Sequence, residues 1–292
     1  MLNIGIVMAF IRSIKKKTKD RPIPDTLKPK ISKPKLWLGG LIILIAVVTS
    51  LYMGFIRADK TAGLLPLQTF TTNDELNISY ILKQPNTSSE KSDNPKKPVV
   101  IFIHQGGSSK EEWKNTAIFN SVVEAGIIAF AYDVRGHGES DGKFSPILFD
   151  DPNMAPKDLI AALKFLRSLD DVDPSKISIV ESSIGANLAI MAKGDNSFGI
   201  SSVVAISGKT SAAINLAGGD DKIADLSSVF LIAGENEQGG KRAQWAQEFY
   251  ELSDQPRKIE IVPASKAHGT SLFKADNTLE ARILDWIIQG FK

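Results

Sequence analysis

Residues 176–193 read KISIVESSIGANLAIMAK, and the rest of the chain is best read outward from them. Ile177, Ile179 and Val180 form the short apolar, β-branched run expected of a strand buried on both faces. Ala186, Leu188, Ala189 and Met191 are good helix formers. Between the two lies Glu181-Ser182-Ser183-Ile184-Gly185. A strand that passes into a helix through so few residues must turn sharply, and a serine at the turn holds its hydroxyl above the sheet edge. The next backbone N–H then points to where an oxyanion would develop, and the helix N-terminus adds a favourable field. Gly185 lets the turn pack close to its neighbour. Taken alone, S-x-G after a strand also fits phosphate-binding and purely structural turns.

Strand-like runs recur on both sides of this segment, at 66–71, 76–83, 98–103, 127–132, 201–206, 228–233 and 257–262, with the central one at 176–181. Helical patterns fall between them, near 111–125, 155–169, 184–193, 241–252 and 275–289. Such alternation predicts an α/β domain over 65–292 with a mostly parallel sheet of eight strands and helices on both faces. The short turn at Asn73-Asp74 makes the first edge antiparallel. Gly208 to Asp225 leaves room only for a short excursion, and Phe144 to Pro156 is a second short insertion able to wall one side of a site. Little or no lid is expected.

Four further stretches carry recognisable chemistry. Residues 101–113 read IFIHQGGSSKEEW, 131–141 read AYDVRGHGESD, 229–234 read VFLIAG, and 264–273 read ASKAHGTSLF. With the serine turn, and in this order, they resemble the α/β-hydrolase superfamily, closest to small hydrolases of the dienelactone-hydrolase or serine-peptidase kind. The elbow departs from the family's G-x-S-x-G at Glu181, and the family's H-G-x-x loop carries Gln105 in place of glycine. The resemblance implies Ser183 as nucleophile, His268 as base and an acid after the 229–234 strand. Glu237 fits the acid's spacing, Glu235 is its rival, and Asp225 is more distant. The backbone N–H groups of Ile184 and of Gly106 or Gln105 are the implied oxyanion donors. His104 is read as bracing its loop and His137 as part of a structural turn. No metal or organic cofactor is implied.

The N-terminal part differs in kind. Residues 36–56, LWLGGLIILIAVVTSLYMGFI, are 21 residues without a charge, about 31 Å of helix against a bilayer core of about 30 Å. Trp37 and Tyr52 sit near its ends, as interfacial aromatics do. The span predicts an uncleaved transmembrane anchor, since the run is too long for a signal peptide and lacks a clear cleavage site. Residues 1–35 carry ten Lys/Arg against two Asp, leaving 25 basic and 31 acidic residues for 36–292. That asymmetry places the tail in the cytoplasm and the part after the 57–64 linker outside. The first 14 residues suit either an interfacial helix or a disordered end. A mildly acidic body gives no reason to expect a nucleic-acid partner. Cysteine is absent, which removes disulfides and thiolate chemistry and leaves the redox compartment open.

Together these readings predict a membrane-anchored serine hydrolase that cleaves a small ester, thioester or peptide-type amide. Two other readings stand beside it. One is an inactive hydrolase fold used as a binding module, suggested by Glu181 and Gln105. The other is a different chemistry on the same fold, such as a haloperoxidase-like or lyase activity.

Overall fold

The computed structural model describes residues 67–85, 95–223 and 226–292. The predicted tail, membrane span and linker, and Asp225, lie outside the described residues. Among those described, no helix is long and apolar enough to cross a membrane.

Eight strands form one sheet: β1 (Thr69–Thr71), β2 (Asn77–Lys83), β3 (Lys97–Ile103), β4 (Ile128–Tyr132), β5 (Val172–Ser182), β6 (Ser202–Ile206), β7 (Val229–Gly234) and β8 (Arg257–Val262). Their spatial order is β1-β2-β4-β3-β5-β6-β7-β8. β2 runs antiparallel to both neighbours, and β4 through β8 are parallel. All eight follow the runs read from the sequence; the clearest are the central strands β3, β4, β6 and β7, whose apolar runs are buried on both faces.

The helices are α1 (Glu111–Lys114), α2 (Ala117–Glu124), α3 (Ala155–Arg167), α4 (Ile184–Gly194), α5 (Thr210–Ala217), α6 (Lys241–Leu252), α7 (Leu272–Ala275) and α8 (Leu279–Gly290). Alternate strand residues serve two separate cores. Ile101, Ile103 and Ile179 face a core completed by Leu163 of α3, Leu188 of α4 and Phe249 of α6. Val100, Phe102 and Val180 face the opposite one, completed by Phe119 of α2 and Ile283 of α8.

Two expected helices are interrupted. The 111–125 helix breaks at Asn115-Thr116, where the Thr116 hydroxyl donates to the Trp113 carbonyl at 2.7 Å. The C-terminal helix starts at Leu279 rather than 275, because Asp276 accepts from the Thr278 N–H and hydroxyl at 3.0 and 2.7 Å. The segment read as a bare excursion after Gly208 contains helix α5.

Candidate active site

The parallel strands end on one edge of the sheet, and the loops that follow them bring the predicted residues together. β5 passes into α4 through Ser183, whose backbone sits at φ 59° and ψ −113°. A non-glycine residue held there stores about 1–3 kcal/mol of strain. The Ser183 N–H donating to the Ile206 carbonyl at 2.7 Å helps hold it. Gly185 is needed for close approach: a Cβ there would lie 3.0 Å from the Ile103 carbonyl oxygen and 3.1 Å from that of His104.

Glu181, the departure from the family's small residue, reaches along helix α4. Its Oε2 accepts from the Ala189 N–H at 2.7 Å, and Oε1 is buried with no partner. Burial pushes this carboxyl well above the usual range, which favours the neutral acid over a buried charge. The elbow thus accommodates the larger side chain without an unpaired anion.

His268 Nε2 lies 2.7 Å from the Ser183 hydroxyl oxygen, and its Nδ1 lies 2.5 Å from Glu237 Oε1. With a carboxylate on Nδ1, the neutral imidazole carries its proton there and offers Nε2 as acceptor to the serine O–H. Glu237 is 1% exposed. Its Oε2 also accepts from the Ser207 hydroxyl at 2.8 Å and the Gly234 N–H at 3.3 Å, while Arg242 Nε stands 3.7 Å from Oε1. Glu235 lies elsewhere: exposed, it accepts from the Ala264 N–H at 2.6 Å and braces the start of the histidine loop.

Of the proposed oxyanion donors, Gln105 is committed to another bond. Its N–H donates to Glu112 Oε2 at 3.1 Å, and Glu112 Oε1 accepts from Thr270 at 2.9 Å. The N–H groups of Gly106 and Ile184 have no acceptor among the described residues. A Cβ on Gly106 would come within 2.4 Å of Ile184 Cδ1, so glycine lets the two donor residues approach each other.

His104 and His137 stand behind this site. His104 is fully buried; its Nε2 accepts from the Val134 N–H at 3.0 Å and its Nδ1–H donates to the Gln105 carbonyl at 2.7 Å. Burial lowers its pKa to about 4. His137 packs its ring on His104, Phe144 and Phe149. In the same turn Arg135 joins buried Asp158 to Asp74 through contacts of 2.8 Å, and the guanidinium holds Asp74 well below the usual carboxylate range.

Three residues the sequence reading did not single out belong to the arrangement: Ser207, Glu112 and Arg242. Ser207 has a φ of 59°. Besides donating to Glu237, its hydroxyl accepts from the Gly269 N–H at 3.1 Å, tying the acid to the histidine loop. A cavity of about 420 Å³ is lined by Gly106 and Ile184 together with Phe144, Pro146 and Phe149. It is large enough for a small-molecule substrate.

No family model matches the chain. A stretch of 103 residues is 35% identical to a multifunctional-autoprocessing repeats-in-toxin of Vibrio cholerae, covering 35% of this chain and 2% of that protein. A stretch of 132 residues is 26% identical to the quorum-quenching protein AidA of Acinetobacter baumannii, covering 45% and 40% respectively. The matches thus span less than half the length of these relatives. Among solved structures, a dienelactone hydrolase from Anabaena variabilis superposes with a TM-score of 0.60 at 15% identity, over 77% of this chain and 97% of that one. An esterase from Pyrococcus furiosus gives 0.59 at 17%, over 80% and 94%. Est1E from Butyrivibrio proteoclasticus, solved with ferulic acid bound, gives 0.59 at 16%, over 76% and 100%. At these identities the likeness is one of fold, and the fold is that of the α/β hydrolases.

Proposed function

We propose that this chain, an α/β-hydrolase fold, is a serine hydrolase that cleaves an ester, thioester or amide through an acyl-enzyme. The observation that carries the reading is the run of contacts from Ser183 to His268 to Glu237, at 2.7 and 2.5 Å. On this reading His268 Nε2 takes the serine proton as Ser183 Oγ attacks the carbonyl carbon. The tetrahedral oxyanion is stabilised by the Ile184 and Gly106 N–H groups. Glu237 keeps the imidazole in the required tautomer and offsets the charge of the imidazolium. His268 then returns the proton to the leaving group, and a water, deprotonated in turn by His268, releases the acid and restores Ser183.

Hydrolysis of p-nitrophenyl acetate and butyrate by the full-length chain tests this. Wild type turns both over, and Ser183→Ala and His268→Ala each lose about three orders of magnitude or more in kcat/KM. Undiminished turnover by Ser183→Ala contradicts the reading. Absence of turnover in the folded wild type brings forward the binding-module reading.

The second part of the proposal concerns placement. Residues 36–56 anchor the chain as a single span, with the basic tail cytoplasmic and the hydrolase domain extracytoplasmic, supported by the charge-free run and its flanks. Deletion of 36–56 is expected to release the chain from the membrane fraction. A deleted chain that remains in that fraction speaks against the anchor.

A further inference from the structure

We infer that the cavity lined by Gly106 and Ile184, the residues beside Ser183 expected to hold the oxyanion, selects an acyl group ending in a carboxylate, and that Lys209 and Arg242 are the residues that select it. The inference names the substrate class of the site proposed above and so rests on that reading.

The cavity is lined by two unlike sets of side chains: Phe144, Pro146 and Phe149 are apolar, whereas Asn187, Lys209 and Arg242 are polar or charged. The Lys209 N–H donates to Asn187 Oδ1 at 2.8 Å, which ties the amide by its oxygen and leaves its NH2 group to donate. Neither that group nor the Lys209 ammonium has an acceptor among the described residues. Arg242 is held in place: Nη1 donates to the Ser207 carbonyl at 2.6 Å and Nε to Gln238 Oε1 at 3.2 Å, and its guanidinium lies over Trp245. Its Nη2 has no acceptor among the described residues. A charge fixed in advance attracts an anion without first having to be ordered.

Three helices begin at or next to lining residues, α4 at Ile184, α5 at Thr210 and α6 at Lys241. Their N-terminal partial charges add to the two cations. Asp150 lines the same cavity and among the described residues pairs with neither cation; Arg242 has Glu237 Oε1 at 3.7 Å from its Nε, so Lys209 is the cation there without a carboxylate beside it. Apolar lining for methylenes together with donors that lack an acceptor among the described residues suits a short chain with a charged end.

Asn187 lies about one helical turn beyond Ile184 on α4, so the polar lining begins close to the expected oxyanion donors. Half-esters and half-amides of short dicarboxylic acids carry both an apolar stretch and a charged end.

The test pairs two esters of equal length on the full-length chain, the p-nitrophenyl half-ester of glutaric acid and p-nitrophenyl pentanoate. Wild type favours the half-ester at least tenfold in kcat/KM at low ionic strength, and salt narrows the gap. Lys209→Met cuts the ratio about tenfold, Lys209→Arg keeps it within about threefold, and Lys209→Glu reverses the preference. Equal kcat/KM values in wild type, or a ratio that Lys209→Met does not move, overturn the inference. A binding arm separates it from the hydrolase reading: monomethyl glutarate and methyl pentanoate are titrated calorimetrically into Ser183→Ala. If neither ester is turned over but monomethyl glutarate binds, and binds at least tenfold more weakly to Lys209→Met in the Ser183→Ala background, the hydrolase reading fails and the anion site stands. If monomethyl glutarate binds no better than methyl pentanoate, the anion site is rejected whatever the turnover.

Discussion

Glu181 and Glu237 are both buried glutamates on the edge of the sheet where the serine lies, and the structure treats them in opposite ways. Glu181, 0% exposed at the end of β5, is given one backbone N–H and has an oxygen with no partner. Glu237, 1% exposed beyond β7, meets an imidazole, a hydroxyl and a backbone N–H, with a guanidinium nearby. Burial is the same in both; the donors differ. A carboxyl with almost no donors has its pKa pushed up by burial and acts as packing, whereas one ringed by donors can orient a histidine through its oxygens.

The sharpest way to break this comparison is to change each residue to glutamine. Glu237→Gln puts an amide where His268 needs an acceptor and is expected to lower kcat/KM by about three to four orders of magnitude. Glu181→Gln, which exchanges a neutral acid for a neutral amide, is expected to keep kcat/KM within about threefold. Similar losses in both variants, measured with one ester, would remove the distinction.

Ser207→Ala acts one bond further out. It removes the donor to Glu237 Oε2 and the acceptor for the Gly269 N–H, so kcat falls about tenfold and stability by about 1–3 kcal/mol. Denaturant unfolding beside steady-state kinetics checks both; an unchanged kcat would show that the hydroxyl does not hold the acid.

Next in size is a pH effect. In the fold the Glu181 pKa is raised, so the unfolded chain releases this proton first as pH rises. Stability therefore falls from the ordinary glutamate range upward, until the folded group ionises too. Glu181→Gln lacks this loss and should gain melting temperature relative to wild type as pH is raised from 5 to 8. Parallel curves would contradict it. The smallest effect is expected at Glu235, where Glu235→Gln keeps an acceptor for Ala264 and leaves kcat/KM within about twofold; a loss near that of Glu237→Gln would reassign the acid.

The same comparison explains what could be read in advance. The eight strands were legible because runs such as Val99 to Ile103 have only one comfortable environment. The roles of Ser183, Glu237 and His268 were implied by the resemblance to the α/β hydrolases, whose loops occur in the same order. Ser207 could not: a lone serine at positive φ leaves no pattern, and it matters only because β6 ends beside both the acid and histidine loops. Glu112 was hidden because it acts backward from α1 on the loop before it, and its bond to the Gln105 N–H is what leaves Gly106 as the free donor. Helix α5 was missed because TSAAINLA mixes weak helix formers with a short apolar period. The outcome for Glu181 was equally out of reach, since the sequence shows an ionisable group at the elbow and only the packing shows that burial pushes its pKa well up.

The central claim, an activated serine at the end of β5, is tested most directly by mapping a fluorophosphonate adduct on the full-length chain by peptide mass spectrometry. The account predicts one adduct, on Ser183, abolished in His268→Ala and sharply slowed in Glu237→Gln, with Glu181→Gln labelled at nearly the wild-type rate. An adduct on Ser182 or Ser207, or a folded protein that takes up no label, would contradict it.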